Sequence, residues 1–282
     1  MSNNIIIFLK GIFMGVCDLI PGISGGTVAF ITGIYERLIT AVANITPKNY
    51  FNLVFLKNKK DRKKLFSELD ILFLCLLFSG IFTAIILGSR VISYLIENFY
   101  VYVFAFFTGL ILASGVFISK QIKEKNNLNK WFGLIGFLCG IVLLFLTPQE
   151  VLNPSKLLIF SSGFLAIFAL FLPGISGSFI LLILGMYEYV VNLVKDFDLV
   201  NLIPFAIGAG VGVLVISRVV KFLFNFDKCK TLYFLLGLVI GTLTIPIRNI
   251  YFELNNISFG LIFNLVILFV FGFWIVKKLD RF

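Results

Sequence analysis

The chain has 282 residues, 60% of them hydrophobic and only 13% charged, with a mean hydropathy of +1.05 and a formal net charge of +10. Such a composition excludes a soluble domain. Long apolar runs without the ten-residue alternation of an outer-membrane barrel predict an all-α integral membrane protein.

Histidine is absent, which excludes a Ser/His/Asp triad, a phosphohistidine and a histidine-ligated metal. Cys17, Cys75, Cys139 and Cys229 are widely spaced and read as free thiols, so no metal or cofactor is expected.

Ten apolar runs follow in chain order, at 5–19, 27–46, 71–96, 99–119, 131–147, 157–172, 178–194, 200–224, 231–247 and 258–276. The opening MSNNIIIFLKGIFMG has no basic n-region and no small-residue cleavage site, so it reads as the first apolar segment and not as a removable signal peptide. The first two runs, and the sixth and seventh, are short for the ~20 residues of a spanning helix. Each pair is joined only by a Gly/Pro/Ser break, the pattern of a re-entrant hairpin.

Seventeen of the 24 basic residues cluster in four places: seven at 48–64, four at 120–130, three at 221–230 and three at 277–281. The alternating connections hold only Lys156, Lys195 and Arg248, accompanied by acids. The positive-inside rule then predicts that the clusters and both termini face the cytoplasm, provided that each short pair counts as an even number of crossings. The charge therefore reports orientation; the 47–70 loop could also touch anionic lipid, and nucleic acid is not implied.

An internal repeat is present. Gly11–Val42 aligns with Gly163–Val194 at a constant offset of 152, with 11 of 32 positions identical, including Pro21/Pro173, Ser24/Ser176, Gly33/Gly185, Tyr35/Tyr187 and Glu36/Glu188. A second register at offset 128 matches Ser89-Arg90-Val91 with Ser217-Arg218-Val219. The predicted units are 1–152 (hairpin 5–46, basic loop 47–70, helices 71–147) and 153–282 (hairpin 157–194, helices 200–276). A hairpin plus three spanning helices crosses an odd number of times, so the second unit is expected upside down relative to the first, as in secondary transporters. The two PGISG tips would then meet near the midplane.

Proline at 21 and 173 ends each first limb, glycine at 22, 25 and 26 permits close approach, and Ser24 and Ser176 can cap the returning limbs. Free N–H groups at those helix starts make an anion site. Arg90 and Arg218, the only repeat-matched basic residues within apolar segments, could pass an anion between faces or simply snorkel to the nearer interface. Asp18, whose counterpart is Leu170, breaks the symmetry: it could couple transport to H+ or Na+, or brace the tip backbone. Glu36 and Glu188, 12 residues beyond their serines, read as structural or gating.

The segments MGVCDLIPGISGGTVAFITGIYE and FLPGISGSFILLILGMYE together resemble the bacterial polyprenyl-phosphate (undecaprenyl-phosphate) transporter family, over essentially the whole chain. The resemblance implies a protein of the bacterial cytoplasmic membrane that returns undecaprenyl phosphate from the outer to the inner leaflet. It extends the candidate site to Asp18, Pro21, Gly22, Ser24, Gly25, Gly26, Thr27, Pro173, Gly174, Ser176, Gly177, Ser178, Arg90 and Arg218. Where relatives carry a Trp-Pro pair, this chain reads Ile245-Pro246. Two other classes compete: an anion channel or exchanger, which would use the same helix N-termini, and an intramembrane lipid-phosphate enzyme, for which only Asp18, Ser24 and Ser176 could act.

Overall fold

A computed structural model of the chain describes residues 3–20, 23–46, 49, 58–123, 127–146, 151, 153–196, 198–254 and 258–279. Among these residues there is no strand. The helices are α1 (Asn3–Asp18), α2 (Gly25–Ile31), α3 (Tyr35–Ala43), α4 (Lys59–Glu68), α5 (Ile71–Gln121), α6 (Asn127–Val142), α7 (Lys156–Leu170), α8 (Gly177–Ile183), α9 (Tyr187–Lys195), α10 (Leu199–Phe226), α11 (Lys228–Thr242), α12 (Thr244–Glu253) and α13 (Phe259–Leu279). Polar side chains at the run boundaries start several of them. Ser155 Oγ accepts from the Leu158 N–H at 3.2 Å ahead of α7, Asp198 Oδ1 from Asn201 at 3.2 Å ahead of α10, and Asp227 Oδ1 from Lys230 at 2.9 Å ahead of α11.

Among the described residues, Ile71–Gln121, Leu199–Phe226, Lys228–Glu253 and Phe259–Lys278 are long and apolar enough to cross a membrane. Their outer faces expose Phe82, Ile86, Leu87, Phe222, Phe259 and Phe263, which only lipid can cover at low cost. The chain is a multi-pass membrane protein.

Several elements differ from the sequence expectation. Runs 71–96 and 99–119 remain two helical segments, but they follow one another through a kink without a loop, as the 51-residue α5. At 1.5 Å per residue it is roughly 76 Å long, more than twice the ~30 Å hydrocarbon core. Its backbone leaves helical geometry at Phe99 (φ −135°, ψ 32°), the first residue of the second run, so α5 comprises two span-length segments at the boundary the runs predict. The expected limb 27–46 is two helices, α2 and α3, bent by 117°. Gly33 lies at this bend with φ +70°, and its repeat-matched Gly185 lies at the α8–α9 break with φ +67°, a conformation that costs glycine nothing. Run 131–147 gives a helix only to Val142, followed by a 3-10 turn at Leu143–Phe145, and falls short of a full span.

Packing follows glycine. α1 lies against α5 and α7 against α10, with Gly11 facing Gly80 in the first pair and Gly163 and Gly208 seated on carbonyls of the facing helix in the second. These positions match at the two repeat offsets, so one close contact is built twice. The last helix of each half packs on the other half: α13 on the part of α5 after Phe99, and α6 on α11. Gly136 and Gly140 face Gly237 and Gly241 across the latter pair, the small-residue spacing of close helix approach. A Cβ at position 237 would collide with the Gly133 carbonyl, whereas one at Gly260 would meet open space. Gly237→Val is therefore expected to destabilise the fold by about 1–3 kcal/mol through overpacking. Thermal unfolding in detergent measures this, with Gly260→Val expected to stay within about 0.5 kcal/mol of the parent.

Candidate functional site

At the end of α1 the chain turns back into α2. Pro21 and Gly22 lie outside the described residues. Ser24 is extended (φ −114°, ψ 128°); its Oγ accepts from the Gly26 N–H at 3.1 Å and donates to the Leu172 carbonyl of the second half at 3.2 Å. Asp18 Oδ1 accepts from the Gly25 N–H at 2.6 Å. A Cβ at position 25 would stand 2.5–2.8 Å from the Asp18 carboxylate, so glycine there is a steric requirement. All seven residues of α2 are buried, and Lys10 Nζ donates to the Thr32 carbonyl at its C-terminal end at 2.7 Å.

The second motif docks directly on the first. The Gly174 N–H donates to Thr27 Oγ1 at 2.8 Å, and Tyr35 Oη donates to the Phe171 carbonyl at 2.9 Å. Gly174 has φ +90°, and a Cβ on it would meet Thr242 Oγ1 at 2.7 Å and Val239 Cα at 3.0 Å, so α11 backs the turn closely. Ser176 begins α8 in extended geometry, buried, with its Oγ 2.6 Å from Ser178 Oγ. At Gly177 the space that Asp18 fills in the first motif is taken by the Ala166 carbonyl, 2.7 Å from a notional Cβ. The two starts are thus chemically unequal: the α2 amides are engaged by a carboxylate and a serine of their own chain, while α8 presents hydroxyls.

The structure brings together Asp18, Ser24, Gly25, Gly26, Thr27, Gly174, Ser176, Gly177 and Ser178, with Pro173 in the turn between them. It does not bring the arginines or Glu36 and Glu188 to this cluster. Arg218 is exposed, with Nη2 3.4 Å from the Ile45 carbonyl beyond α3. Arg90 is exposed and has no hydrogen bond or ion pair among the described residues. Glu36 pairs with Lys228 at 2.5 Å, and Glu188 is exposed. Among the described residues no group of three or more Cys, Asp or Glu side chains converges as a metal site.

Tyr35 and the carbonyls of Phe171 and Leu172 were not singled out from sequence. The retained Tyr35/Tyr187 match was the available signal for the first, but backbone carbonyls leave none. The bidentate pair of Arg37 with Asp70, at 2.6 and 2.9 Å, had no motif to announce it either.

Comparison with known proteins bears on this cluster. The sequence model of the family described as VCA0040-like, undecaprenyl phosphate translocase-like, matches residues 14–257, which include both motifs. The chain belongs to this family. A protein of Vibrio cholerae named polyprenyl-phosphate transporter is 39% identical over 241 residues, covering 86% of this chain and 77% of its own. A Staphylococcus aureus protein of the same name is 27% identical over 254 residues, covering 83% of each. Both family members are named as transporters and not as enzymes. No solved structure matches the chain.

Proposed function

We propose that the chain is a flippase for undecaprenyl phosphate, returning it from the outer to the inner leaflet of the bacterial cytoplasmic membrane for envelope polymer synthesis. In this reading the halves are inverted repeats, the motif hairpins are re-entrant from opposite leaflets, and both termini are cytoplasmic. The phosphate headgroup binds at the joined tips, through Ser24, Gly25, Gly26 and Thr27 on one side and Gly174, Ser176, Gly177 and Ser178 on the other, with Gly22 a further candidate from the motif. The observation that carries this reading is the Gly174–Thr27 hydrogen bond, because it joins two motifs 147 residues apart at the broken ends of short helices. Irregular backbone among membrane-spanning helices is tolerated where it is packed in protein or lines a cavity, and an anion is the ligand that helix starts and hydroxyls favour.

Asp18 has a definite task in such a cycle. Its carboxylate holds the Gly25 N–H, which is the donor that a phosphate would seek. Headgroup and carboxylate therefore compete, and a proton or sodium ion that neutralises Asp18 releases the amide to the substrate. Substrate and ion then move together.

The tail needs no polar path. An apolar groove of about 810 Å³ is lined by Val16 of α1, by Ile92, Phe99, Tyr102 and Phe106 of α5 and by Ile267 of α13. An isoprenoid chain can lie there or in lipid while only the phosphate crosses.

The test is reconstitution in liposomes, following the accessibility of undecaprenyl phosphate in the outer leaflet while proton or sodium gradients are imposed. Gradient-dependent loss of outer-leaflet lipid is expected. Halide flux without lipid movement would instead make the protein an anion channel or exchanger, and dephosphorylation of the lipid would make it an enzyme.

A further inference from the structure

Both ends of α3 are tied to the second half by polar groups, through Glu36 in its first turn and through Asn44 and Ile45 just past its last. Glu36 pairs with Lys228 at 2.5 Å, Asn44 Oδ1 accepts from Lys221 Nζ at 2.8 Å, and the Ile45 carbonyl lies 3.4 Å from Arg218 Nη2. α3 packs along α10, which carries Arg218 and Lys221, while Lys228 opens α11. The site-bearing hairpin of one unit is thereby fastened to α10 and the start of α11 in the other.

The repeat offsets locate the corresponding surface on the opposite side. Glu36 and Asn44 map to Glu188 and Asp196 at offset 152; Arg218 maps to Arg90 at offset 128. Phe197, the match of Ile45, lies outside the described residues. The matched contact is not made here. α9 does not pack along α5 as α3 does along α10, and Arg90, Glu188 and Asp196 are all exposed without an ion pair among the described residues. One interface is closed and its copy is open.

We infer that Arg90 and Asp196 form the second of two alternating latches: the α3–α10 latch around Arg218 closes one face of the protein in the state described, and an Arg90–Asp196 ion pair closes the other face when the first opens. This rests on the inverted-repeat transport reading. Two copies of one unit in opposite orientations reach the opposite state by exchanging conformations, so whatever Arg218 does at the end of α3 in one state, Arg90 does at the end of α9 in the other. At the second position Lys221 and Lys228 are replaced by Ser93 and Tyr100, so Arg90 is the cation that the offset keeps there. A guanidinium is favoured at a helix C-terminus, and the carboxamide of Asn44 is replaced there by the carboxylate of Asp196, which an arginine can engage in a charge-assisted pair. A latch must also let go; on an exposed surface a pair of this kind is weak enough to break in each cycle.

The experiment uses the full chain with its four cysteines replaced by serine. Two cysteine pairs are introduced separately, Asn44→Cys with Lys221→Cys and Asp196→Cys with Arg90→Cys, and crosslinked in liposomes with a short bifunctional thiol reagent. The first pair is expected to crosslink in the state described, the second only in a population that the first crosslink excludes, and each crosslink should arrest lipid movement until reduced. Charge exchange supplies an independent arm. Arg90→Asp should lower the transport rate about tenfold or more, and adding Asp196→Arg should restore most of it. A ligand role for Arg90 would not be rescued in this way. Failure of the second pair to crosslink under any gradient, or failure of the exchange to restore a protein that transports lipid, overturns the latch. Crosslinking is read on a gel without substrate, so absence of lipid transport in the parent protein would count against the proposed function while the alternation of the two pairs still decides the latch.

Discussion

Gly174→Ala is expected to abolish lipid transport and to lower the thermal stability of the protein more than any other single substitution in the motifs. Two independent costs meet at this position. With φ +90° the backbone is in a region that an L side chain adopts at a cost of about 1–2 kcal/mol. The added methyl would also stand 2.7 Å from Thr242 Oγ1 and 3.0 Å from Val239 Cα. Neither backbone nor a hydroxyl held by the Val239 carbonyl at 3.0 Å can yield freely, which adds roughly 1–3 kcal/mol of overpacking. If the turn moves away from α11, it draws the Gly174 N–H from Thr27 Oγ1 and the two tips separate. The measurement is paired: melting temperature in detergent and outer-leaflet lipid clearance in liposomes. Wild-type transport by Gly174→Ala would show that the contact between the motifs is dispensable.

Asp18→Asn is expected to separate transport from its driving gradient without unfolding the protein. Asparagine is nearly isosteric, and its neutral carbonyl oxygen can still accept from the Gly25 N–H, more weakly than a carboxylate does, so the empty turn keeps a cap that a phosphate can displace. What is lost is the charge. A neutral residue cannot exchange a proton or bind sodium in step with the phosphate, so gradient-driven clearance should fall about tenfold or more, equivalent to at least ~1.4 kcal/mol, while passive equilibration of lipid persists. Asp18→Ala should behave differently, since it leaves a buried amide without its acceptor at a cost of about 1–3 kcal/mol and should reduce stability as well as transport. Equal gradient dependence in Asp18→Asn and wild type would remove Asp18 from the coupling step and leave it as a helix cap.

Most of the helical layout was legible because a membrane leaves few choices: each apolar run must satisfy its own backbone, and does so as helix. The paired motifs were legible for a different reason. Chance does not produce PGISG twice at matching distance from GxYE, so the duplication itself marked Ser24, Gly174 and Ser176, whereas Thr27, whose counterpart is Phe179, entered only through the family resemblance. The break at Phe99 fell where one predicted run gives way to the next, but the bend within run 27–46 was less visible: Gly33 is a single glycine in a stretch taken as one limb, with only Glu36 and Arg37 just beyond it to mark a change. The arginines show the limit of reading by residue type. A basic residue in an apolar stretch suggests an anion partner, yet Arg218 reaches a backbone carbonyl beyond α3, a partner with no signature in any alignment of side chains. Asp18 could be read two ways, and the geometry at Gly25 displays the capping role directly.

The exchange of final helices between halves has a consequence for biogenesis. During synthesis the first half leaves the ribosome with the glycine faces of α5 and α6 unmated, since Gly109 waits for α13 and Gly136 for α11. Neither half can finish as a separate body, and the central junction cannot mature until the closing helix has been inserted and has threaded back to the earliest long one. Nonsense mutations late in the reading frame should therefore be as damaging as early ones, leaving membrane-inserted but unassembled chains for quality-control proteases to clear.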